Sequence, residues 1–260
     1  MQRSSTYIIG FAGVICLVCA VFVSSLAVAL KDRQEANKVL DRQTKVLTVA
    51  GLIEEGAQKE RAEIEKLFAS NIKARLVNLT TGQYDEKISV ESFDQLARSK
   101  DPATSKSQGA NPAGVARTPD IAMVYQLVKG GEVKALILPI EGKGLWSTLY
   151  GFIALGSDTT SIKGITFYQH GETPGLGGEV DNPRWKAQWS GKQAFADGNW
   201  ADPKITVVKG LAEPGNQYQV DGLSGATITA RGVSSLVKFW LGNQGFGPYL
   251  ASVRDTGGKS

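Results

Sequence analysis

Thiols and imidazoles are scarce in this 260-residue chain, which has two cysteines and one histidine. Cys16 and Cys19 both fall in residues 7–30, so residues 31–260 contain no thiol. That excludes a disulfide framework and a His/Cys metal centre, which needs about four such ligands. It also excludes an iron–sulfur cluster held by the bulk of the chain. Domains exported to an oxidising compartment carry paired cysteines or none, so a thiol-free body fits a periplasmic location. A strong charge of one sign is lacking too. The net charge is +4, with 21% charged and 42% apolar residues. This excludes wholesale disorder and gives no electrostatic footprint for nucleic acid.

One long apolar run is present. Residues 7–30 carry no charge; Arg3 precedes them and Lys31, Asp32 and Arg33 close them. A helix of about 20 residues covers the hydrocarbon core of a bilayer. Ala27-Val28-Ala29 resembles a signal-peptidase site, but signal h-regions span only about 7–15 residues. The expectation is an uncleaved transmembrane helix at 7–30, with residues 1–6 cytoplasmic and the remainder in the periplasm.

The body reads as α+β, with a twisted, largely antiparallel sheet packed with helices. Val39, Leu40, Val46, Leu47, Ala50 and Ile53 recur at helical steps, predicting that the helix continues through residues 31–55. A short helix is expected at 60–69 and a strand at 72–79. Residues 100–119 are rich in Pro, Gly, Ser and Ala without apolar periodicity, which predicts a loop or linker. Two units are expected from this, a helical and α/β part at 31–119 and a second domain at 120–255. Residues 121–128 and 132–140 read as a hairpin about Lys129-Gly130-Gly131, with further strands at 151–155, 162–168 and 205–208. The last helix is placed at 226–241, with Val233, Leu236, Val237, Trp240 and Leu241 as its buried face.

Glycine is in excess: 30 residues, 23 of them in 121–260 and 7 in 1–120. Five of them fall in two short stretches that carry the chemistry. The first stretch is Asp221-Gly222-Leu223-Ser224-Gly225-Ala226-Thr227, where a strand gives way to the last helix. Ser224 is a natural N-cap, and Gly225 permits close backbone approach. A helix start offers unpaired N–H groups that suit a phosphate, and Thr227 falls in its first turn. On helix physics alone, a small-residue cap without a ligand explains the same pattern. The second stretch is His170-Gly171-Glu172-Thr173-Pro174-Gly175-Leu176-Gly177, where Pro174-Gly175 signals a tight turn.

Asp-x-x-Ser-Gly-Ala-Thr resembles the motif at which flavin transferases attach FMN, through its phosphate, to the final threonine. The Glu-Thr-Pro-Gly-Leu-Gly loop resembles a second element of the same FMN-binding domain. With the apolar N-terminal run, the whole chain resembles the C subunits of sodium-translocating NADH:quinone reductases, whose near relatives are the G subunits of Rnf complexes. A G subunit of an Rnf-type complex, a membrane-anchored FMN-binding sensor and a scaffold without flavin are the alternatives.

The resemblance implies one covalent FMN on Thr227, put there from FAD by a separate Mg²⁺-dependent transferase that reads Asp221, Ser224, Gly225, Ala226 and Thr227. It implies an electron carrier, not catalytic alone, within an inner-membrane complex of six subunits. Electrons would arrive from an iron–sulfur centre of neighbouring subunits and leave to a second FMN. Ser224, Gly225 and Ala226 would bind the phosphate, and Glu172, Thr173, Gly175, Leu176 and Gly177 would lie beside the flavin. Trp146 and Lys209 are further candidates, while His170 is read as structural.

Overall fold

The structure is a computed structural model that describes residues 4–196 and 199–255. Residues 1–3 of the expected cytoplasmic segment lie outside the described residues. The chain divides into two compact units, residues 1–42 and 43–260.

The first unit is helical. Helix α1 (Ser5–Val49) contains a stretch of mean hydropathy 2.7 with none of it buried. Leu17, Phe22 and Val28 all lie open. A helix apolar on every side, and not buried by protein, is long and apolar enough to cross a membrane. The expected continuation to residue 55 stops at Val49. There Leu52 N–H turns back to the Leu47 carbonyl (2.9 Å), which closes the helix C-terminus.

In the second unit, α2 (Arg61–Asn71) runs directly into β1 (Ile72–Asn78). Then come α3 (Gln95–Lys100), β2 (Ser105–Ser107), β3 (Arg117–Pro119), β4 (Ile121–Lys129), β5 (Glu132–Lys143), β6 (Thr148–Gly156) and β7 (Ile162–Gln169). A 3-10 turn (Gly177–Asp181) and α4 (Pro183–Ala187) follow. The chain then forms β8 (Thr206–Val207), β9 (Gln219–Val220), α5 (Thr227–Leu241) and α6 (Gly247–Asp255). One five-stranded sheet, ordered β1-β4-β5-β6-β7 and antiparallel throughout, is the frame. β8 and β9 form a separate parallel pair.

The expected loop or linker at 100–119 is a loop, not a linker, and it carries two short strands. β2 and β3 pair antiparallel, Asp94 caps α3, and Ala113 and Val115 are buried. The Ala113 carbonyl accepts from Lys143 N–H (2.7 Å), so this segment packs on the end of β5. Its strands are too short for a period of two to show in the sequence. The compact units also divide at 42/43 rather than at 119/120, because β1 pairs along its whole length with β4.

Helix α5 positions the site. Val233, Leu236, Val237, Trp240 and Leu241 are essentially inaccessible, as their helical spacing predicts. Trp240 Nε1 donates to the Glu141 carbonyl (2.7 Å), tying α5 to β5. Nearer its start, Gly232 of α5 lies against Lys143 and Gly144, which brings the start of α5 beside the β5–β6 turn at residues 144–147.

Candidate functional site

Three loops meet at the start of α5. Gly225 takes a left-handed backbone (φ +69°), and Ala226 N–H bonds back to the Leu223 carbonyl (3.1 Å). The result is a turn with Ser224 exposed inside it. The expectation that Ser224 caps the helix is thus corrected: Ala226 holds the N-cap position and no side chain caps α5. The first amides of α5 keep their donors open, and Thr227 is half-buried at the first helical position.

Thr227 lines a recess of about 110 Å³ together with Lys209, Gly210, Leu223 and Arg231. The side chains of Lys209 and Arg231 are exposed, and neither has an ion pair among the described residues. The Lys209 loop is held in place by Asp221. Its Oδ1 accepts from Ala212 N–H (2.7 Å), and Gly222 N–H bonds the Gly210 carbonyl (2.7 Å). Asp221 is itself fixed by Gln188 Oε1 (3.0 Å) on its N–H and Trp185 Nε1 (2.8 Å) on its carbonyl. Its carboxylate therefore shapes the loop, at one remove from Thr227.

The Glu172–Gly177 loop closes over the same turn. Leu176 is 44% exposed, and its Cδ2 lies 2.8 Å from where a Cβ on Gly225 would stand. Gly225 therefore needs its bare Cα for space as well as for φ. Thr173 and Gly175 are exposed, and the Thr173 carbonyl accepts from Leu176 N–H (3.1 Å) and Gly178 N–H (2.9 Å). Gly177 is buried: a Cβ there would stand 2.7 Å from both Glu172 Oε2 and Thr229 Oγ1.

Glu172 is 5% exposed and accepts four hydrogen bonds. Trp146 N–H (2.9 Å) and Ser147 N–H (3.2 Å) reach Oε1; Leu145 N–H (3.1 Å) and the Thr229 hydroxyl (2.6 Å) reach Oε2. Burial pushes its pKa up, but these donors together hold it below the usual carboxylate value. Trp146, anchored through its backbone, leaves its indole 70% exposed, so it is no core-packing residue. His170 Nδ1 accepts from Glu172 N–H (3.2 Å), which puts the ring proton on Nε2, facing Asp181 Oδ2 (2.8 Å).

The structure therefore brings Thr227, Lys209, Gly225 and Leu176 together on one side of the α5 start, and Glu172, Gly177 and the Trp146 turn on the other. Arg231, Thr229 and the Leu145 and Ser147 amides join them without having been singled out in the sequence. Arg231 was findable, since it lies one helical turn after Thr227. The turn amides were not, because their partner is 25 or more residues away.

The site fits FMN by its donor set. Open helix amides and two cations without ion pairs among the described residues surround the Thr227 hydroxyl, complementing a phosphodiester. The recess is smaller than the roughly 300 Å³ at which pockets enclose a drug-sized ligand. Exposed apolar side chains outside it, Leu145, Trp146, Leu176 and Ile228, offer surface to a flat aromatic ring.

Comparison with known proteins agrees. Residues 144–242 match the family described as an FMN-binding domain. The C subunit of the Na(+)-translocating NADH-quinone reductase of Vibrio anguillarum is 46% identical over 93% of this chain and 92% of its own length. The protein of the same name from Pseudomonas aeruginosa is 45% identical over 97% of both chains. The crystal structure of Shewanella oneidensis NqrC superposes with a TM-score of 0.78 at 34% identity, covering 85% of this chain and 99% of that one. With identity of this order along nearly its whole length, the chain belongs to the family formed by the C subunits of Na(+)-translocating NADH-quinone reductases.

Proposed function

We propose that this protein carries FMN joined through its phosphate to Thr227 Oγ1, and that it serves as a membrane-anchored electron carrier of a sodium-pumping NADH:quinone reductase. The observation that carries this reading is the Thr227 recess, where a half-buried hydroxyl, an uncapped helix start and two cations without ion-pair partners among the described residues converge. A phosphodiester keeps one negative charge, which Lys209, Arg231 and the open amides of α5 would neutralise. FMN supplies reversible electron carriage when bound; the protein supplies its position and surroundings. Leu176 and Trp146 are placed to cover the ring, with Thr173 and Gly175 at the edge of the same loop.

A threonine hydroxyl is a weak nucleophile, and the described residues set no general base against Thr227. This supports installation by a separate flavin transferase. The exposed Ser224-Gly225 turn, with Asp221 holding its shape, leaves the motif accessible to such an enzyme. Helix α1 is proposed to cross the inner membrane, with residues 1–6 in the cytoplasm and the thiol-free body in the periplasm, docked among the other members of an assembly of six subunits.

The test is the intact mass of the full chain co-produced with a flavin transferase. The wild type should gain one FMN and absorb in the visible, and Thr227→Ala should show neither. An unmodified wild type, or flavin retained covalently in Thr227→Ala, rejects the assignment.

A further inference from the structure

We propose that Glu172 and Thr229 are positioning residues that fix the Trp146 turn against the flavin-bearing turn of α5; this rests on the reading that FMN is joined to Thr227. A carboxylate offers about four acceptor positions. All four on Glu172 are filled from within the protein: three consecutive amides at Leu145, Trp146 and Ser147, and the Thr229 hydroxyl. Glu172 therefore has no lone pair left for a ligand and acts through what it holds.

What it holds are the two walls of the site. Thr229 is fully buried and stands two residues after Thr227, in the same helical turn. The Trp146 indole is largely exposed, so its place is set by its own backbone, and that backbone is set by Glu172. One carboxylate thus spans from the attachment turn to the aromatic side chain. The link is packed tightly on both flanks. A Cβ at Gly177 would crowd both Glu172 and Thr229, and one at Gly144 would stand 2.6 Å from Glu172 Oε1. The backbone of Glu172 is buttressed in turn by His170 and Asp181. A site held this way is organised before its cofactor arrives, and the spacing between phosphate anchor and ring wall is rigid.

The experiment uses the full chain co-produced with a flavin transferase, comparing wild type, Thr229→Val, Thr229→Ser and Glu172→Gln. Thr229→Val preserves volume and removes the donor to Oε2; Glu172→Gln preserves volume and replaces one acceptor oxygen with a donor. Intact mass should show flavin still joined to Thr227 in each. The visible circular dichroism of the flavin, which reads its asymmetric surroundings, should fall about twofold or more in Thr229→Val and Glu172→Gln, with a shifted midpoint potential. Thr229→Ser should restore both signals. Wild-type dichroism and potential in either folded, flavinylated variant would overturn the proposal while leaving the Thr227 assignment standing. A wild type without flavin on Thr227 overturns both together.

Discussion

The β5–β6 hairpin meets two carboxylates withdrawn from water, and they behave in opposite ways. At the tip, Glu172 accepts four hydrogen bonds and its pKa is held below the usual value despite burial. Three residues before the turn, Glu141 of β5 has no hydrogen bond or ion pair to its side chain among the described residues. Burial pushes its pKa up to about 7, and only the Lys100 charge opposes the rise. Desolvation acts on both; the supply of donors decides the sign. The same contrast separates Glu172 from the cation side of the site. Its charge is consumed inside the fold, whereas Lys209 and Arg231 are left open for something outside it.

The largest effect expected from breaking this contrast is that of Glu172→Ala. It strands three amides of an exposed turn, which water can reach, and the fully buried Thr229 hydroxyl. With one or two partners left unsatisfied at about 1–3 kcal/mol each, it should cost about 2–4 kcal/mol in urea unfolding. The cost should shrink in acid. A depressed folded pKa contributes stability above the ordinary carboxylate value and loses it as pH falls through the folded value. A penalty that stays constant from pH 7 to pH 3 would show that the charge of Glu172 is irrelevant.

Gly177→Ala comes next. It forces a methyl against Glu172 Oε2 and Thr229 Oγ1 and should cost about 1–3 kcal/mol. Unchanged stability would mean that the loop can back away.

Glu141→Gln should have a smaller effect, of opposite sign. With its folded pKa raised to about 7, Glu141 binds its proton more tightly in the folded chain, so stability falls as pH rises from the ordinary carboxylate value to about 7. Removing the titration should therefore stabilise the protein at pH 8 and leave it unchanged at pH 4. Equal effects at both pH values would place the cause in packing instead.

Lys209→Ala and Arg231→Ala should be the mildest for folding, within about 0.5 kcal/mol of wild type, because both side chains are exposed and without ion pairs among the described residues. Together they should slow flavin incorporation on the order of tenfold, through loss of charge-assisted bonds to the phosphate. Wild-type incorporation kinetics in the double variant would remove these cations from the site.

Much of this was legible along the chain because it is written in local patterns. Residues 7–30 declare a helix by their lack of charge. Val233, Leu236, Val237, Trp240 and Leu241 declare the buried face of α5 by spacing, and Gly130-Gly131 declares the first hairpin. The Asp221–Thr227 and Glu172–Gly177 stretches were findable because their residue types are unusual in that order. Ser224 misled because a side chain that suits an N-cap was read without the Gly225 turn, which moves the cap to Ala226. Residues 100–119 misled because a three-residue strand has no period to detect.

By itself, the sequence determined that the chain has an apolar helix followed by a thiol-free α+β body, and that Thr227 falls in the first turn of the last helix. Those follow from composition and from interactions within a few residues. Only the tertiary structure decided that Glu172 faces inward, with every acceptor taken. It also decided that Arg231 and Lys209 share a recess with Thr227, and that the Trp146 ring faces outward. These depend on where a sheet register and a helix crossing place residues far apart in the chain, which no local pattern encodes.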